Sequence, residues 1–71
     1  MPLSVAPLGV GCKIVKIAAG DKMRKHLENL GLTVGERIIS VSDNSGNVII
    51  KVKDGRVALN RDLATCIHVS I

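Results

Sequence analysis

A mainly β fold, a small and partly open barrel of about five strands, is the architecture this sequence predicts. Three observations carry that expectation. Of 33 apolar residues, 17 are Val or Ile, whose stiff β-branched side chains favour pleated strands. Two short turn segments, Asp43-Asn44-Ser45-Gly46-Asn47 and Asp54-Gly55, break the second half into hairpin-sized pieces. The length, 71 residues, suits one domain over 1–71 with a modest core, since a chain of about 60 residues buries only about 60% of its unfolded surface. With no Phe, Tyr or Trp, that core must be aliphatic. Closing the sheet into a barrel also removes most of the edges that invite aggregation.

The elements follow in order. Residues 1–9 hold both prolines, Pro2 and Pro7, and read as an extended lead-in ending at Gly9. The first strand runs from Val10 to Ala18, with Cys12 and Ile14 on one face and Lys13, Val15 and Ile17 on the other. Gly20 stops it. Asp21 is the expected N-cap of a short helix to Leu30. Met23, Leu27 and Leu30 stand at i, i+4 and i+7, one apolar stripe, with Arg24, Lys25 and Glu28 outside it. Gly31 stands where a left-handed residue ends a helix.

After the turn Thr33-Val34-Gly35, strands are expected over Glu36–Ser42, Val48–Lys53, Arg56–Leu59 and Cys66–Ile71. Ile50 and Val52 alternate with Lys51 and Lys53. Before the last strand, Asn60 to Ala64 reads as a single helical turn capped by Asn60.

Composition excludes several functions. Proline-rich peptide grooves and RNA platforms work by presenting aromatic rings, and this chain has none. No apolar run approaches the roughly 18 residues of a membrane span, and the start, Met1-Pro2-Leu3-Ser4-Val5, does not read as a secretory signal. A cytoplasmic location is expected. Ten Lys and Arg against six Asp and Glu leave a net charge of +4. The cations are scattered along the chain and read mostly as solvated surface, so no nucleic-acid partner is expected.

Enzyme motifs are absent. Gly9-Val10-Gly11 is a lone glycine pair, and the Gly31–Gly35 segment lacks the Gly-Lys-Ser/Thr of a phosphate loop. Nothing in the sequence gathers Cys12, Cys66, His26 and His68 into a nucleophile and its base. His26 reads as solvent-facing. Cys66 and His68 are two apart on an expected strand, hence on one face, and are the weak candidates for a transition metal. Their bland reading is a packed cysteine and a strand histidine. No cofactor is expected.

Several segments in order resemble one family. They are Pro2-Leu3-Ser4, Leu8-Gly9, Lys16-Ile17-Ala18-Ala19-Gly20, Leu30-Gly31-Leu32-Thr33-Val34-Gly35 and Val57-Ala58-Leu59 through Asp62-Leu63-Ala64 to Ile67-His68-Val69. Together they resemble FeoA, the small cytoplasmic component of bacterial ferrous iron uptake. The resemblance implies an SH3-like barrel. It also implies a non-enzymatic accessory role on FeoB, the permease with a cytoplasmic GTPase domain, so the membrane is met only through the partner. Asn60 stands where a basic residue is common in the family, and the Asp43–Asn47 turn replaces a proline-containing loop. The helix is the expected contact, through Arg24, Lys25, Leu27 and Glu28, because a single helix on a small barrel protrudes; Leu27 reads more readily as core, left partly exposed only if the short helix outreaches the core. The alternative is a stand-alone metal-binding or metal-sensing SH3-like domain using Cys66 and His68.

Overall fold

Alternating burial along the strands turns one face of a single antiparallel sheet inward and curls it around an aliphatic core. The computed structural model describes residues 1–44, 46–53 and 55–71. Its strands are β1 (Gly11–Ile17), β2 (Arg37–Asn44), β3 (Asn47–Val52), β4 (Gly55–Asn60) and β5 (Ile67–Ser70), in the spatial order β4-β3-β2-β1-β5. Helix α1 (Asp21–Asn29) follows β1, and α2 (Arg61–Cys66) lies between β4 and β5. The mainly β, five-stranded architecture and both helical positions are as expected.

The differences have local causes. Between Ile14 and Lys16 the pairing of β1 with β5 shifts register. A bulge inserts one residue and flips every later side chain to the other face, so Ile17 enters the core while Val15 stays exposed. A second shift interrupts the β2–β3 ladder between Ser40 and Ser42. Both bulges bend their strands, as closure of a small sheet requires.

The first hairpin is tighter than expected. Asn44 pairs with Asn47, and Gly46 takes φ +85°; Ser45 lies outside the described residues. In the second, Val52 pairs with Gly55 and Lys53 takes φ +50°. That turn is therefore centred one residue earlier than Asp54-Gly55, and Asp54 itself lies outside the described residues.

The lead-in is more than extended chain. Leu3–Val5 form a 3-10 turn that carries Leu3, 1% exposed, into the core. Pro2 bridges to His68, and the Val69 N–H donates to the Met1 carbonyl at 2.7 Å. The free edge of β5 is covered in this way. Across the gap between β4 and β5, α2 packs against the 3-10 turn, β3 and β4. Cys12 is buried in the core, where it acts as a small apolar side chain.

Candidate interaction surface

Helix α1 is held at one end. Its N-cap is Gly20, in extended conformation and without a side-chain capping bond. Asp21, expected at the cap, is instead the first helical residue, where its carboxylate still faces the positive end of the helix dipole. The C-terminus is fully built. Gly31 takes φ +89°, its N–H donates to the Glu28 carbonyl, and the Leu32 N–H donates to the Leu27 carbonyl, both at 2.9 Å. These two bonds are the Schellman closure, with its usual apolar contact partners Leu27 and Leu32; both are 0% exposed.

The apolar stripe accordingly splits. Leu27 is sealed in the core and Leu30 is half-buried, whereas Met23 is 38% exposed. Sequence periodicity places Met23 and Leu27 on one face, but the barrel reaches only the C-terminal half of that face. Leu27 therefore anchors α1, as its core reading has it, and presents no surface of its own for the contact that was its second reading. Met23 is the residue that the stripe reading missed. The only available signal was the shortness of the helix set against a small core.

Around Met23 the surface is a shallow apolar groove lined by Gly20, Asp21, Lys22, Met23 and His26. His26 is exposed, as expected. Arg24, Lys25 and Glu28 are all exposed. The ion pairs among the described residues, Lys53 with Glu36 and Arg61 with Asp43, involve none of these three. Helix α1 thus offers an apolar groove at its N-terminal half and, along its polar side, charges that make no ion pair among the described residues.

Cys66 and His68 fall in different elements. Cys66 is the last residue of α2 rather than part of the final strand, so the two-residue spacing no longer sets both side chains on one strand face. His68 lies on β5 between Lys16 and Pro2. Among the described residues no group of three or more His, Cys, Asp or Glu side chains converges as metal ligands would.

Five antiparallel strands with a helix after the first and a helical turn before the last define a small SH3-like barrel. Comparison with known proteins makes the class specific. The model of the FeoA domain matches residues 1–71. An Fe(2+) transport protein A of Methanocaldococcus jannaschii is 32% identical over 68 residues, covering 96% of this chain and 83% of that protein. The crystal structure of an iron uptake regulatory protein, FeoA, superposes with a TM-score of 0.87 at 33% identity, covering 97% of this chain and 92% of the other. The FeoA of Stenotrophomonas maltophilia, crystallised with zinc and described as a procaryotic SH3 domain protein, gives a TM-score of 0.78 at 26% identity over 99% and 89% of the two chains. The chain belongs to the FeoA family, the small accessory component of ferrous iron transport.

Proposed function

We propose that this protein acts in ferrous iron uptake as a non-enzymatic module on the cytoplasmic side, docking through the N-terminal half of α1 on the cytoplasmic region of a FeoB-type permease. Family membership supports the pathway and the partner. One observation supports the surface: Met23 is exposed on a helix whose other end is locked by Leu27 and Gly31. A helix that keeps part of its apolar stripe uncovered can lay that part into a groove of its partner. In this reading Met23 supplies the apolar contact, and the exposed Arg24, Lys25 and Glu28 of the same helix add charged contacts beside it. A flexible thioether fills irregular gaps well, and rim charges set association rate and its salt dependence more than residence time.

The test is a titration of the labelled protein with the permease's cytoplasmic domains at low and high salt. Arg24→Glu with Lys25→Glu should weaken binding at low salt, with the gap narrowing at high salt. Met23→Ala should weaken it at both. Affinities equal to wild type for both variants would remove α1 from the interface, and no binding by the wild type would remove the proposed partner.

A further inference from the structure

The ten cations are scattered in sequence, but the sheet register gathers four of them. On the outward face of β1 to β4, Lys13 lies directly opposite Arg37, and Lys51 lies directly opposite Arg56. Ile39 pairs with Lys51, and Arg37 and Ile39 share the outer face of β2, two residues apart. Lys13–Arg37 and Ile39–Lys51–Arg56 are therefore adjacent rows of one surface. All four cations are exposed.

Like charges directly opposite each other destabilise a sheet, and this sheet carries two such pairs. No ion pair among the described residues involves any of the four. Of the barrel's acids, Glu36 is paired with Lys53 at 3.7 Å and Asp43 with Arg61 at 2.6 Å. Aliphatic side chains are set among the cations: Ile39 and Val41, 36% and 38% exposed, and half-buried Ile49 in the next row, opposite Ala58.

We propose that this outer sheet face is a docking surface for a bilayer of anionic phospholipids. The charge pattern suits an extended anionic counterpart, since the four cations are spread over four strands of the face. Exposed aliphatics between cations match the boundary between headgroups and acyl chains. They have no counterpart on a nucleic-acid backbone, and there is no aromatic ring on which bases could stack. Lysine is depleted at protein interfaces but serves well against a diffuse layer of headgroup charge, where each cation near the surface is worth about a five-fold gain in partitioning. This contact is direct and is independent of the reading of α1.

The experiment is flotation of the full chain with vesicles of phosphatidylcholine containing one-third phosphatidylglycerol, beside vesicles of phosphatidylcholine alone. Wild type should bind the anionic vesicles only, and high salt should release it, because screening shortens the reach of the charges. Lys51→Gln with Arg56→Gln should lower partitioning at least about ten-fold, from two cations at about five-fold each. Lys22→Gln with Lys25→Gln removes the same net charge from α1 and should change it less than about two-fold. Circular dichroism melts check that both variants fold; all four substituted side chains are exposed. No flotation by the wild type, equal losses in the two variants, or equal binding to neutral vesicles would each overturn the proposal. So would tighter binding to duplex DNA than to the anionic vesicles at matched salt, lost in Lys51→Gln/Arg56→Gln, since that assigns the face to a nucleic acid.

Discussion

The two helices invert the usual relation between length and fixity. Helix α2 has six residues, yet nearly every one is tied down. The Asn60 side chain accepts from the Leu63 N–H at 2.8 Å, and the Arg61 N–H donates to the Gly46 carbonyl at 2.8 Å. The Arg61 guanidinium donates to Asp43, the Thr65 hydroxyl donates to the Arg61 carbonyl, and Ala64 is 0% exposed. Helix α1 is longer, nine residues, but has no side-chain cap and is fastened only at its C-terminus. Isolated helices this short are marginal in water, so packing decides their stability. Where a cap, hydrogen bonds and a buried residue fasten both ends of the element, as in α2, the helix closes the barrel. Where only one end is fastened, as in α1, the other end is left free to meet a partner.

The largest expected effect removes the anchor. Leu27→Ala empties a fully buried leucine site and should destabilise the fold by about 2–5 kcal/mol. Chemical denaturation would read this as a lower midpoint at unchanged m-value. A loss below about 1 kcal/mol would mean that α1 is as loosely held at Leu27 as at Met23, and the contrast within the helix would disappear.

Next comes the closure. A Cβ added at Gly31 would meet only the Val52 Cγ2 at 3.8 Å, an ordinary contact, so Gly31→Ala isolates the price of a left-handed backbone. That cost is about 1–2 kcal/mol. In a domain of this size each kcal/mol lowers Tm by about 4–8 °C. An unchanged Tm would show that the helix end can re-form without its positive φ.

How much of this was legible beforehand depends on how local each cause is. Gly31 and Asn60 announce themselves because a left-handed residue and an N-cap are decisions made within one turn of helix. Ile50 and Val52 are equally plain, since uninterrupted alternation needs no knowledge of the neighbouring strand. Strict alternation turns Ile17 outward, whereas the bulge that turns it inward is set by the pairing of β1 with β5, which the β1 sequence alone does not contain. Cys66 reads as strand in the sequence, but α2 outlasts its capping signal and runs on to Cys66 while packing against the 3-10 turn and β4. Leu3 looked like lead-in, although the uncovered edge of β5 recruits that segment. The same limit applies to the candidate surface. Arg24, Lys25 and Glu28 were legible as a polar face, whereas the exchange of roles between Met23 and Leu27 depends on where the barrel ends. The basic sheet face is wholly a product of register.

A smaller effect tests the other helix. Asn60→Ala deletes the capping bond to Leu63 and should cost about 1 kcal/mol, visible as a lower Tm. Because α2 is otherwise so well fastened, hydrogen exchange should quicken at its first turn before the rest of the domain is affected. If the loss were negligible, the remaining bonds of α2 would suffice without the cap, and its fixity would rest on packing alone.

The smallest expected change in stability is the most informative about the free end of α1. Met23 and Leu27 belong to one helical stripe, so a reading from periodicity alone gives them similar weights. Their exposures, 38% and 0%, give them opposite ones. Met23→Ala keeps a strong helix former at the position and removes a side chain that already meets water, so stability should change by less than about 0.5 kcal/mol. The comparison is cleanest as paired melts of Met23→Ala and Leu27→Ala, each scaled to the volume removed. A loss above about 1 kcal/mol at Met23 would place its thioether in the core, extend the anchor over the whole helix, and leave α1 without the apolar groove on which the proposed docking depends.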